Sequence, residues 1–153
     1  MWVPPEVKDP ILWQAPTHEQ IGMYGAVHLR SGRLLAQQWE EFNGETFFEF
    51  LKYLIRHRPR GKKMIIILDN SRYHHARSLI PWLKDHRREL RLDFLPPYSP
   101  QLNPIERVWK LTRKVCLHNR YFPTLQELVS TVGLQFACWY KPNDTLRRLC
   151  AII

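Results

Sequence analysis

Two acidic residues stand where α/β proteins usually place chemistry. Asp69 closes a run of five apolar residues, Met64-Ile65-Ile66-Ile67-Leu68. Such a run reads as a strand buried on both faces. Open α/β sheets gather ligands and catalytic groups at the carboxyl ends of their strands. Glu106 follows Asn103-Pro104, a good N-cap and first helical residue, and so falls in the first turn of a helix. If a short strand over Leu92–Leu95 pairs beside Met64–Leu68, both carboxylates reach one edge of the sheet. Two carboxylates about 4–6 Å apart make a site for a hard divalent cation such as Mg²⁺. Two such ions activate a water or hydroxyl and stabilise the leaving oxygen in phosphodiester chemistry. Each residue also has a purely structural reading. Asp69-Asn70 suits a strand-end turn, and Glu106 suits the second half of a capping box at a helix N-terminus. The two residues alone leave both readings open.

The elements that must position them follow from periodicity and punctuation. Residues 1–18 read as irregular, with prolines at 4, 5, 10 and 16. Ile21 to Leu29 reads as a strand, Ser31-Gly32 as a turn and Arg33 to Trp39 as the returning strand of a hairpin. Asn43-Gly44 opens a helix whose Phe47, Phe50, Leu51 and Leu54 share one face. A basic connection (Arg56, Arg58, Arg60, Lys62, Lys63) leads into the Asp69 strand. A second helix is expected over residues 75–88, with Ala76, Leu79, Ile80 and Leu83 inward and Pro81 inside it. Three prolines stiffen the loop from Pro96 to Asn103. The third helix runs from Asn103-Pro104 to about His118. The fourth starts at Thr124, with Glu127 completing a capping box and Leu125, Leu128, Val129, Val132 and Phe136 inward. A short tail follows Pro142. Alternation of strands and helices after the hairpin predicts a single α/β domain with a mixed sheet flanked by helices.

The chain has 153 residues, and 23 Lys+Arg against 14 Asp+Glu leave a net charge of +9. That excess favours a polyanionic partner, above all nucleic acid. Arg107, Lys110, Arg113 and Lys114 fall at i, i+3, i+6 and i+7 of the third helix. Lys84, Arg87, Arg88 and Arg91 form a second group. Both suit phosphate contacts, or else a solvated helix face. No apolar run is long enough for a transmembrane helix, and no secretory pattern opens the sequence. Cys116, Cys138 and Cys150 are odd in number without CxxC spacing, which reads as free thiols in a reducing cytosol. The spacing of His74, His75, Cys116 and His118 matches no standard zinc pattern.

Two strings carry a resemblance: Leu68-Asp69-Asn70-Ser71-Arg72-Tyr73-His74-His75, and Phe94-Leu95-Pro96-Pro97-Tyr98-Ser99-Pro100-Gln101-Leu102-Asn103-Pro104-Ile105-Glu106-Arg107-Val108-Trp109. Together they resemble the DDE superfamily endonuclease domain of bacterial insertion-sequence transposases allied to the mariner-like elements. The hairpin and the Phe47/Leu51 helix occur in the family's order, so the resemblance spans nearly the whole chain. It implies an RNase H-like fold and three acids holding two Mg²⁺ or Mn²⁺ ions. Asp69 would be the second acid and Glu106 the third. The nucleophile would be a metal-bound water or a DNA 3′-hydroxyl, with no covalent protein–DNA intermediate. Asn70 and His74 would flank the site, and Tyr98, Ser99, Asn103 and Trp109 would shape the loop and helix that hold Glu106. DNA transposition, contact with transposon ends and target DNA, a homodimer and a cytoplasmic, nucleoid-associated setting are implied as well.

The resemblance also implies a departure. The family's first acid lies on a first strand, shortly before the segment that Trp2-Val3-Pro4 resembles. Of the early acids Glu6, Asp9 and Glu19, Asp9 precedes Pro10 in an irregular stretch and is a poor substitute. The expectation is therefore two of three carboxylates, a first strand missing or replaced, no helix-turn-helix region, and weak or no cleavage by this chain alone. The alternative is a non-catalytic DNA-binding or dimerisation module derived from a transposase.

Overall fold

A computed structural model describes residues 11–14 and 20–151, with side chains from residue 22 onward. In chain order the elements are β1 (Ile11–Gln14), β2 (Gln20–Val27), β3 (Leu34–Trp39), α1 (Gly44–Arg56), β4 (Met64–Leu68), α2 (Ile80–Asp85), β5 (Leu90–Phe94), α3 (Pro104–Thr112), α4 (Leu125–Trp139) and α5 (Asp144–Leu149). Two compact units emerge. One joins the chain up to Glu40 with Pro104 onward, and the other is Glu41–Asn103.

The first unit holds an antiparallel sheet in the order β1-β2-β3. The hairpin forms as its turn residues predict, with Val27 opposite Leu34 and Gly22 opposite Trp39. Gly32 turns the chain at φ +72, where a Cβ would lie 2.2 Å from the Asn143 carbonyl oxygen, so only glycine fits. β1 is a correction, because the proline count made all of residues 1–18 irregular. Pro10 and Pro16 bracket β1 in sequence rather than interrupt it, and its register on β2 pairs Ile11 with Met23.

Trp109 of α3 is fully buried among Met23, Leu34, Val108, Val132, Phe136 and Leu146. Its ring lies against Gly25 of β2, where a Cβ would come within 2.3 Å of Cη2. The strand approaches the indole only because residue 25 has no side chain. α4 begins where Thr124 Oγ1 accepts from the Glu127 amide at 3.2 Å, and it buries Leu128, Val132, Phe136 and Trp139.

Beyond Pro142 the expected tail is instead a helix. Asn143 Oδ1 accepts from the Leu146 amide at 2.9 Å, Asn143 Nδ2 donates to the Gly32 carbonyl at 2.9 Å, and Leu146 is fully buried. A cap that also bonds a distant turn is a tertiary device, invisible to local periodicity.

In the second unit α1 forms as expected. Asn43 Oδ1 accepts from the amides of Glu45 and Thr46, both at 3.0 Å, and Thr46 Oγ1 accepts from the Asn43 amide at 3.0 Å. Phe47, Phe50, Leu51 and Leu54 are buried, each worth roughly 1.5–3 kcal/mol. β4 pairs β5 in parallel, Met64 beside Leu90 and Leu68 beside Phe94.

Two further expectations need correction here. β4 is not covered on both faces, since Ile65 and Ile67 are 50% and 37% exposed while Leu68 is 6% exposed. An unbroken β-branched run cannot report which of its faces finds a neighbour. The helix over residues 75–88 is also broken. Two 3₁₀ turns, Arg72–His75 and Arg77–Leu79, precede α2. Pro81 sits at the start of α2, where its missing N–H costs least, and Ile80 is exposed.

Candidate active site

Asp69 follows the last residue of β4 and is held by the turn beyond it. Its Oδ1 accepts from the Ser71 amide at 2.9 Å. His74 Nδ1 lies 3.0 Å from that same Oδ1 and 3.0 Å from the Asp69 carbonyl oxygen. Both facing atoms are acceptors, so Nδ1 carries the proton and donates. The His74 side chain is 4% exposed and that of Asp69 30% exposed. Phe47 of α1 packs on the His74 ring with centroids 4.5 Å apart, and Tyr73 meets it edge-on at 4.5 Å. Burial pushes the Asp69 carboxyl up. The His74 hydrogen bond, the Ser71 amide and hydroxyl, and the His74 charge together outweigh it and hold the pKa at about 2. Asp69 is thus a preorganised carboxylate, ionised throughout the neutral range.

Asn70 repeats the pattern one residue on. Its Nδ2 donates to the Leu95 carbonyl, and its Oδ1 accepts from His75 Nε2 at 3.1 Å. The His75 ring stacks on Phe94, centroids 4.1 Å apart and planes 21° apart. The 3₁₀ turn between returns two consecutive histidines onto two consecutive strand-end residues, each at i+5. His75, Ser71 and Phe94 were not among the residues read as a site. The i,i+5 echo of Asp69/His74 in Asn70/His75 is the signal that could have found His75.

Glu106 lies in the first turn of α3, where a carboxylate is favoured. Arg113 is its electrostatic neighbour. Burial lowers the Arg113 pKa and the Glu106 charge raises it. Its Nη2 is buried, without a hydrogen-bond partner among the described residues. Arg113 therefore leaves the exposed face that carries Arg107, Lys110 and Lys114. At 3.6 residues per turn, position i+6 points about 120° from Arg107 and about 100° from Lys114. Beyond Thr112 the helix widens into a π-turn, Arg113–Leu117, closed by the His118 amide donating to the Arg113 carbonyl at 2.8 Å. Arg107 is exposed, and its Nη1 donates to the carbonyls of Leu149 at 3.1 Å and Ala151 at 3.3 Å.

Of the loop residues, Tyr98 is fully exposed at φ 58. Ser99 Oγ donates to the Pro97 carbonyl at 3.2 Å, Asn103 is buried immediately before α3, and Trp109 is core. Lys84 is exposed in the last turn of α2, with Arg87 and Arg88 exposed in the turn before β5. Cys116, Cys138 and Cys150 are free thiols. Among the described residues no group of three or more His, Cys, Asp or Glu could hold a metal ion, so the zinc set is not assembled. No helix of the described residues is long and apolar enough to cross a membrane. Glu6, Asp9, the Trp2-Val3-Pro4 segment and Glu19 lie outside the described residues.

Residues 1–129 match the family described as DDE superfamily endonuclease. The chain belongs to that family. An uncharacterized protein of Sinorhizobium fredii is 33% identical over 85% of this chain and 90% of its own length. The insertion element IS630 uncharacterized 39 kDa protein of Shigella sonnei is 27% identical over 75% of this chain. The chain spans only 33% of that relative's length. Among solved structures, the catalytic domain of Mos1 mariner transposase superposes with TM-score 0.63 at 19% identity, over 86% of this chain and 68% of that one. The Mos1 mariner paired end complex with Mn gives TM-score 0.65 at 17% identity, over 98% and 46%. The mixed α/β fold of this DDE endonuclease family member is thus similar to that of the mariner catalytic domain.

Proposed function

We propose that the chain is the catalytic domain of an insertion-sequence transposase, a metal-dependent DNA endonuclease and strand-transfer domain of RNase H-like fold. The observation that carries this reading is the Asp69 carboxylate, half-buried, ionised and oriented by His74 and Ser71 at the end of a parallel strand. Asp69 fits a divalent cation by its chemistry, a hard oxygen donor already deprotonated. Glu106 is proposed as a further carboxylate ligand, with Arg113 setting its electrostatic surroundings. Bound to such carboxylates, Mg²⁺ or Mn²⁺ supplies activation of an attacking oxygen and stabilisation of the leaving one. The chain's own part is to keep Asp69 ionised and fixed, through the Nδ1 proton of His74 and the Ser71 amide. Asn70 and His75 hold the adjacent strand end in place. Arg107, Lys110 and Lys114, and separately Lys84, Arg87 and Arg88, supply phosphate contacts to transposon-end and target DNA. A homodimer on paired DNA ends and a nucleoid-associated setting belong to the same reading.

The charge of +9 also supports a second reading, a DNA-binding or dimerisation module that does not cut. Nicking of supercoiled plasmid and retention of Mn²⁺ by the purified chain, taken together, separate the two. Mn²⁺-dependent nicking that is lost in Asp69→Asn and in Glu106→Gln supports the catalytic reading. DNA binding with no nicking, and no Mn²⁺ retained by the wild-type chain, favours the second.

A further inference from the structure

β4 and β5 are parallel, so the two connections that feed them lie at the same end of the pair, the end opposite Asp69. Each connection is a tight turn. In the first, the Lys62 amide donates to the Pro59 carbonyl at 3.1 Å, with Gly61 at φ +76, and the turn carries Arg60, Lys62 and Lys63. In the second, the Glu89 amide donates to the His86 carbonyl at 2.9 Å, and Arg87 and Arg88 occupy its corners. The turns are tied together. The Met64 amide donates to the Glu89 carbonyl at 2.8 Å, Arg58 donates to the Lys62 carbonyl, and its Nη2 lies 4.0 Å from Glu89 Oε1.

Arg60, Lys62, Lys63, Arg87 and Arg88 are all exposed, and none has an acidic partner among the described residues. The one acid in these turns, Glu89, faces Arg58. Five uncompensated cations on two rigid, mutually braced turns make a fixed positive surface, which a polyanion relieves. At about 3.3 Å per residue, the five-residue strand sets that surface about 17 Å from Asp69.

We propose that these paired turns are a phosphate-binding surface for duplex DNA, engaging a stretch of backbone remote from the Asp69 end. Only the identity of the polyanion as DNA rests on the proposed transposase reading. The surface binds without metal and without sequence preference.

The test measures anisotropy of a labelled duplex of about 30 bp in EDTA, at roughly 50 to 200 mM KCl. The full chain is compared with Arg60→Gln/Lys62→Gln/Arg87→Gln/Arg88→Gln. A charge-matched control is Arg30→Gln/Arg120→Gln/Lys141→Gln/Arg148→Gln, exposed cations of the other unit. The turn variant is expected to bind at least about tenfold more weakly, with the slope of log K against log salt smaller by about three to four. The control is expected to lose less than about threefold. Equal losses in both variants, or no loss in the turn variant, overturn the proposal. So does single-stranded RNA of the same length whose binding, rather than the duplex's, is lost. Should the fourfold variant melt early, the doubles Arg60→Gln/Lys62→Gln and Arg87→Gln/Arg88→Gln each carry the test, at about half the slope change. Because the assay excludes metal, a chain that binds in this way but neither nicks DNA nor retains Mn²⁺ sinks the catalytic reading alone.

Discussion

Lowering the pH should release the strand end that carries Asp69, by an amount the structure sets. Its carboxyl moves from 3.8 to about 2 on folding. A depressed folded pKa contributes stability that is complete above 3.8 and is lost as pH falls through about 2. The full gap corresponds to at most about 2.5 kcal/mol. The side chain is 30% exposed, and screening by solvent brings the expected contribution to about 1–2 kcal/mol. Two measurements check this. A ¹³C titration of the Asp69 carboxyl should show a midpoint near 2, rising in His74→Ala because the Nδ1–H donor is gone. Urea unfolding at pH 6 and near pH 2 should cost the wild type about 1–2 kcal/mol more than Asp69→Asn, which has no proton to gain. A wild-type midpoint at or above 3.8 would refute the reasoning. A midpoint unmoved by His74→Ala would refute its assignment to the histidine.

Other outcomes follow from the packing. Gly25→Ala places a methyl 2.3 Å from the Trp109 ring and should cost about 1–3 kcal/mol by overpacking; an unchanged urea midpoint would show that the strand can shift. Asn43→Ala removes the acceptor for two amides of α1 and should cost about 1 kcal/mol, read by thermal melting against Asn43→Asp, which should retain most of it. A maleimide should label exposed Cys138 first. Cys116 and Cys150 are buried, and burial pushes their thiols up, Cys150 to about 11, so both should react only on unfolding. Mass spectrometry of the singly labelled chain shows which cysteine carries the adduct, and early modification of Cys150 would contradict the packing.

Several features were legible in the residues alone, each because the determining interaction is local. The Asn43 cap and the Phe47/Phe50/Leu51/Leu54 face specify α1 within three turns. Ser31-Gly32 specifies the hairpin, and the Thr124 hydroxyl, accepting from the Glu127 amide without the return bond of a full capping box, specifies the start of α4. Asp69, Glu106 and the proline-rich string between β5 and α3 were enough to point to the DDE endonuclease family. Other features needed neighbours distant in sequence. β1 exists because β2 offers it an open edge, and prolines in the same stretch hid it. α5 depends on Asn143 meeting the Gly32 turn. Ile65 and Ile67 look like core by type, yet they are exposed because burial belongs to whatever lies above a strand face. Pro81 starts a helix that periodicity began five residues earlier. The Asp69–His74 pair needs a 3₁₀ turn, whose i+5 return matches neither helix nor strand spacing. The two cationic turns, read separately as a connection and a helix end, share one surface because parallel pairing of β4 with β5 puts both strand starts at the same end. Local sequence set caps, turns and apolar faces; which charges and rings came together depended on contacts between segments, which no short window contains.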